Sequence, residues 1–215
     1  MSSSVKSWLA IGVLFCAIYA SWVLWRSGHA EQAKQSDSVE VTGPPVTPLV
    51  DVTLTDQNGQ PFDLRALRGQ VWVASFFFTN CAGPCWRLNQ ELSTLQHDPA
   101  AENIKFISIT CDPDNDTPEA LKRYAEHFKA DPQRWTFLTG DFDVLKRIAL
   151  SFQLGLDKAT HSDRAFVVDR QGKVRGLHGF HLSDTAEMER LRLLLERVKS
   201  EAKTARRTNT SAHAG

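Results

Sequence analysis

The sequence predicts an α/β fold: a mixed sheet with helices packed on both faces. Three observations predict it. A continuous apolar run of strand length, Val71 to Phe78 (VWVASFFF), suits burial on both faces of a sheet. Strand-like runs then alternate with helical periods through the middle of the chain. The last part reads as a hairpin followed by one more helix.

The elements follow in order. Val52-Thr53-Leu54, then Asp56-Gln57-Asn58-Gly59, reads as a short strand and a turn. After the Val71 to Phe78 strand, Leu88, Leu92 and Leu95 recur at i, i+4 and i+7, which marks a helix face. Ile104 to Ile109 is the next strand. Thr117-Pro118-Glu119 starts a helix, with Thr as cap and Pro in the first turn. Leu121, Tyr124, Ala125 and Phe128 carry that helix on. Thr136 to Thr139 is a short strand, and Leu145, Ile148, Ala149 and Phe152 mark a helix. Ala165 to Val168, the turn Asp169 to Gly172, and Lys173 to Leu177 form a hairpin. Ser183-Asp184 opens the last helix, with Met188, Leu191, Leu195 and Val198 on one face. A thioredoxin-like mixed sheet fits this order, with the helical material between Thr117 and Phe152 as an insertion.

Composition narrows the function. The chain has 215 residues, 42% hydrophobic and 23% charged, which suits a packed core. Lys+Arg and Asp+Glu are 25 each, so bulk positive charge for gripping nucleic acid is absent. Four cysteines are too few for a disulfide-stapled scaffold. A four-thiolate zinc site would need Cys16 as well, and Cys16 lies in an apolar N-terminal run.

That run, Trp8 to Trp25, holds 18 residues without a charge, with Trp8, Trp22 and Trp25 at its ends. Both features fit a membrane-spanning helix with aromatic anchors. Residues 1–25 are therefore expected to be a retained membrane anchor. The alternative is a cleaved signal peptide, for which Gly28-His29-Ala30 offers a cleavage spacing. Residues 26–48, with Pro44, Pro45 and Pro48, read as a stiffened tether. The globular domain is expected over 49–200, and 201–215 as a frayed tail.

The chemistry centres on SFFFTNCAGPCWRLNQ, Ser75 to Gln90. Cys81 and Cys85 follow the buried strand and lead into the helix, at the end of a strand where open α/β sheets tend to place ligands. The helix N-terminus is expected to lower a thiol pKa and favour thiolate. A spacing of four puts both side chains on one side of a helical turn, able to form a disulfide or to hold one metal ion. The plainer reading is packing, since Cys85 continues the stripe of Leu88, Leu92 and Leu95. Cys111 follows the Ile104 to Ile109 strand. It falls near the pair if the two strands are neighbours, but packing accounts for it more simply. Asp112, Asp114 and Asp116 could hold a cation, though helix capping and a solvated turn explain them as well. His178 and His181 read as surface or supporting residues.

Four ordered motifs resemble the Sco/SenC family. They are Thr79-Asn80-Cys81-x-x-x-Cys85, Ser108 to Glu119 (SITCDPDNDTPE), Trp135 to Gly140 (WTFLTG), and His161-Ser162 before the Ala165 strand. The resemblance spans about Val50 to Ser200. It implies a thioredoxin-like fold and copper, as Cu(I) or Cu(II), bound by Cys81, Cys85 and His161. Two soft thiolates and an imidazole suit that metal chemically. It also implies a metallochaperone or thiol reductant serving the copper-site subunit of cytochrome c oxidase, or another copper protein. The expected setting is the bacterial inner membrane, single-pass, with the domain in the periplasm; the mitochondrial inner membrane is the alternative. The chain departs from the family where Ala82 and Trp86, rather than proline, follow the two cysteines.

A different class competes: a thiol–disulfide oxidoreductase, with Cys81 attacking and Cys85 resolving. Such enzymes carry a proline before the strand that faces the pair. Here the last proline is Pro132, and His161-Ser162-Asp163-Arg164 precedes that strand. This favours metal over general disulfide exchange. A peroxidase would want Thr-x-x-Cys, but Thr79 lies only two residues before Cys81.

Overall fold

The computed structural model describes residues 52–155, 164–179 and 185–212, together with Tyr19 and Ser21; side chains are described except at 177–187 and beyond Glu201. The chain divides into two units, Met1–Val39 and Glu40–Gly215. Among the described residues of the second unit, seven strands form one sheet. They are β1 (Thr53–Asp56), β2 (Pro61–Asp63), β3 (Trp72–Phe77), β4 (Lys105–Thr110), β5 (Trp135–Thr139), β6 (Arg164–Val168) and β7 (Val174–Gly179). Four α-helices accompany them: α1 (Pro84–Leu95), α2 (Pro118–His127), α3 (Phe142–Ser151) and α4 (Thr185–Ala212).

The strand order is β2-β1-β5-β4-β3-β6-β7. β3, β4 and β5 are parallel, and β6 runs antiparallel to both β3 and β7. Parallel neighbours need a crossover, and α1 and α2 supply them. β4-β3-β6-β7, with α1 between β3 and β4 and α4 at the end, is the thioredoxin-like arrangement that the sequence predicts. The material between Thr117 and Phe152 is more than helical: β5 widens the sheet and gives β1 a strand to pair with.

Alternation along β3 builds two cores. Val73 and Phe77 face one, with Leu88, Leu92 and Leu95 of α1, Leu121 and Tyr124 of α2, and Leu191, Leu195 and Val198 of α4. Trp72, Ala74 and Phe76 face the other, with Ile107 and Ile109 of β4 and Leu145 and Ile148 of α3. Burial of each Val, Leu, Ile or Phe side chain among them contributes roughly 1.5–3 kcal/mol. Every residue of β3 is buried, as an apolar run predicts for a central strand. The polar exception is Ser75, which shares a 2.8 Å hydrogen bond with Ser108 of β4. Trp135 Nε1 donates to that same Ser108 oxygen at 2.9 Å, so the group is internally satisfied.

Local chemistry sets the boundaries. Thr117 caps α2, its hydroxyl accepting from Ala120 N at 3.3 Å, with Pro118 in the first turn. Asp141 caps α3 by accepting from Asp143 N and Val144 N. In the β6–β7 turn Asp169 Oδ1 accepts from Gln171 N and Lys173 N at 2.9 Å, while Gly172 takes φ 77°. Gly140 follows β5, and a Cβ there would stand 2.8 Å from Leu54 Cδ2, so a larger residue would have to displace the buried Leu54 side chain.

Two expectations change. α4 runs on to Ala212, where a frayed tail is expected from Glu201; Glu201 to Ala212 contains neither Gly nor Pro, so nothing in it stops a helix. β2 is an element the sequence pattern does not signal. Among the described residues no helix is long and apolar enough to cross a membrane. The expected anchor at Trp8 to Trp25 lies outside them apart from Tyr19 and Ser21, which are helical. The tether at 26–48 lies outside them as well.

Candidate functional site

The pair sits at the carboxyl end of the central strand β3. Cys81 lies in the loop after β3, and Cys85 is the second residue of α1. The two are therefore not both on a helix, as the spacing of four suggests. α1 begins only at Pro84, because a proline fits the first turn and no side chain caps the start at Gly83. The thiols are still close enough to influence each other, Cys81 raising the pKa of Cys85. Cys81, Cys85 and Cys111 are all free thiols and all buried.

Cys85 has no exposed surface and packs with Leu88 and Leu92, so the packing reading and the site reading both hold for it. That burial reverses one expectation. The helix N-terminus is expected to lower a thiol pKa, but burial, reinforced by the neighbouring Cys81, pushes the Cys85 thiol strongly up. Loss of water around a thiolate outweighs the partial charge of the helix end here.

Cys111 comes near the pair, as neighbouring strands predict. Its amide donates to the Phe77 carbonyl at 2.7 Å, extending the β3–β4 ladder by one step. Its side chain packs with Ile107 and Ile109 in the opposite core. Burial, with Asp116 nearby, pushes its thiol up to about 12. Among the described residues no three His, Cys, Asp or Glu side chains are grouped to hold a metal ion.

Three buried polar residues around the thiol loop do more than their sequence context indicates. Asp116 reads as part of a solvated turn, yet it is fully buried. Its carboxylate accepts from Thr79 N at 3.2 Å, from the Thr79 hydroxyl and from the Thr110 hydroxyl. Burial raises its pKa despite those donors. Asn89 stands one turn after Cys85 and is also fully buried. Tyr124 is legible as a helix-face residue, but not as a neighbour of the thiols; burial and then the charges of Cys85 and Cys81 push its hydroxyl strongly up. An asparagine at i+4 from Cys85, inside the apolar stripe, is the signal that could have marked this cluster.

The remaining candidates fall elsewhere. His161 and His181 lie outside the described residues. His178 stands in β7 opposite Ala165, with its side chain outside them. Asp112 accepts from Asn115 Nδ2 at 2.8 Å, and Asp114 is exposed. Trp86, directly after Cys85, is 37% exposed and packs against the His127 ring at 4.5 Å and Phe128 at 4.8 Å.

Comparison with known proteins shows the family to which the chain belongs. The chain is similar to a SCO1/SenC family lipoprotein from Bacillus anthracis strain Ames, with 30% identity and TM-score 0.62 over 69% of this chain and 92% of that one. It is similar to BsSco, described as a member of the Sco family of cytochrome c oxidase assembly proteins with a disulfide switch; identity is 29% and TM-score 0.57, over 67% and 90% of the two chains. Bradyrhizobium japonicum ScoI, solved with copper bound, matches at 26% identity and TM-score 0.55 over 73% and 98%. The SCO1/SenC family model matches residues 49–196. The chain therefore belongs to the SCO1/SenC family.

Proposed function

We propose that this chain is a membrane-anchored copper-binding protein that serves the assembly of a cytochrome c oxidase copper centre. The Cys81–Cys85 pair carries the reading: two buried free thiols four residues apart where the central strand ends. Thiolates are soft donors that hold Cu(I), and an added imidazole helps accommodate Cu(II). Cys81 and Cys85 would hold the metal, with His161 as the third ligand. The register of the sheet supports that third ligand. Ser75 of β3 pairs with Ala165 of β6, so β6 starts at the sheet end where β3 gives way to the Cys81 loop. His161 lies three Cα–Cα steps from Arg164, roughly 10 Å at full extension.

Copper is cargo in this reading. Capture displaces the proton that burial holds on Cys85, so binding strengthens as pH rises. Release to a client proceeds by exchange of thiolate ligands, with His161 leaving as the metal departs. The copper-bound ScoI and the oxidase-assembly relative support copper and client together. The uncharged Trp8 to Trp25 run supports an anchor in the bacterial inner membrane with the domain in the periplasm.

Two free, buried thiols at the strand end also support a second reading, a membrane-anchored thiol–disulfide oxidoreductase without obligatory metal. Anaerobic copper titration of the reduced protein separates the two. The copper reading expects one tightly held copper per chain, lost in Cys81→Ser and in Cys85→Ser, with Cu(II) retention weakened in His161→Ala. No copper, together with a readily cycled Cys81–Cys85 disulfide, would replace it with the thiol reductase.

A further inference from the structure

We infer that Asp116 is the positioning residue of the thiol pair: its buried carboxylate clamps the Cys81 loop to the end of β4 and so holds Cys81 against Cys85. The inference rests on Cys81 and Cys85 being the working pair. Asp116 closes a tight turn, its own amide donating to the Asp112 carbonyl at 2.9 Å. From there its carboxylate takes hydrogen bonds from two separate segments. Thr79, two residues before Cys81, donates through its amide at 3.2 Å and through its hydroxyl. Thr110, the last residue of β4, donates through its hydroxyl.

The two cysteines are held by different means. Cys85 is fixed in the first turn of a packed helix with no exposed surface. Cys81 sits in a loop, where its amide donates to the Phe78 carbonyl at 3.2 Å. That bond is local to the loop, whereas the Asp116 clamp ties the loop to another strand. Burying a carboxylate without a cation is costly unless its hydrogen bonds are met, and Asp116 meets them with the residues flanking the thiol loop. Sulfur–sulfur approach is then governed by how tightly Thr79 is held.

The consequence is an effective concentration. In the exchange read here, glutathione disulfide takes two electrons from the dithiol. One S–S bond forms between Cys81 and Cys85, one S–S bond breaks, and the two thiol protons go to two glutathione thiols. Ring closure is favoured in proportion to the local concentration of one sulfur about the other. Releasing the clamp lets Cys81 explore more space and shifts the equilibrium toward the dithiol.

The test is the equilibrium constant against a glutathione buffer, read on the full chain at fixed pH. Thr79→Val removes the hydroxyl donor at nearly constant shape and guards against a misfolded Asp116→Asn. Both are expected to lower the constant for oxidation about tenfold, ~30 mV for a two-electron couple. Thr79→Ser keeps the donor and is expected to stay within about twofold of the wild type. Leu145→Ala, in the opposite core on α3, is expected to lower the melting temperature without moving the constant. Constants within twofold of the wild type in both Thr79→Val and Asp116→Asn would overturn the inference. So would a Leu145→Ala shift as large as theirs, or a wild-type pair that glutathione disulfide cannot join. Copper titration of the same samples keeps the two readings apart. A wild type that takes no copper but shows the clamp effect loses the copper reading and keeps this one. A wild type that takes copper while Thr79→Val and Asp116→Asn leave the constant flat does the reverse.

Discussion

Asn89 and Tyr124 are joined directly beneath the thiol pair: the Asn89 Nδ2 donates to the Tyr124 hydroxyl at 3.2 Å. The same nitrogen donates to the Cys85 carbonyl at 2.8 Å, so one amide links the first turn of α1 to α2. Its other atom, Oδ1, is buried and has no hydrogen-bond partner among the described residues. The linkage therefore carries a penalty as well as a gain. Tyr124→Phe removes one acceptor and is expected to cost about 1 kcal/mol. Asn89→Ala removes both donor bonds and leaves a small void, and is expected to cost about 2–3 kcal/mol. Because the two share a bond, the double variant should cost less than the sum of the single ones. Urea denaturation of the four proteins checks this; strict additivity would show that the contact contributes nothing.

Cys111 predicts a pH dependence at the alkaline end. Burial and Asp116 push its thiol up to about 12 from an ordinary 9.0. Above pH 9 the unfolded chain gives up this proton while the folded chain keeps it. The stability is whole below pH 9 and is lost as pH rises toward 12, at about 1.4 kcal/mol per pH unit for one thiol. Cys85 titrates in the same direction. Cys111→Val keeps the packing with Ile107 and Ile109 and removes one thiol from the balance. Its stability curve from pH 9 to 11 is expected to be flatter by that one-thiol slope in denaturant titrations. Parallel curves for the two proteins would refute the assignment.

The sheet was legible because its apolar runs are long and its helix starts are marked. β3 reads as buried at every position, and Thr117-Pro118 announces α2. β2 was not legible, because three residues beginning with proline carry no alternation and its partner β1 lies beyond the turn. The thiol pair was legible from its place between strand and helix. Its protonation was not, since the helix-end effect can be read from sequence and the degree of burial cannot. Asp116 shows the same limit most clearly. Three aspartates at alternate positions look solvated, and only the parallel β3–β4 pairing brings Thr79 and Thr110 onto one of them.

Trp86 offers an optical handle on the site. Trp72 and Trp135 are buried within the sheet, at 3% and 0% exposed. Trp86 instead lies at the surface, directly after Cys85 and packed over His127 and Phe128. A thiolate-bound copper ion quenches a nearby indole by electron or energy transfer, with an efficiency that falls steeply with distance. Copper bound at Cys81 and Cys85 should therefore quench Trp86 more than either sheet tryptophan. The part of the emission lost on adding one equivalent of copper is expected to shrink by more than half in Trp86→Phe, while the copper stoichiometry stays the same. The phenyl ring preserves the contact with Phe128, so the helix start should keep its position. Undiminished quenching in Trp86→Phe would place the metal away from the first turn of α1, and with it the ligand assignment of Cys85 would fall.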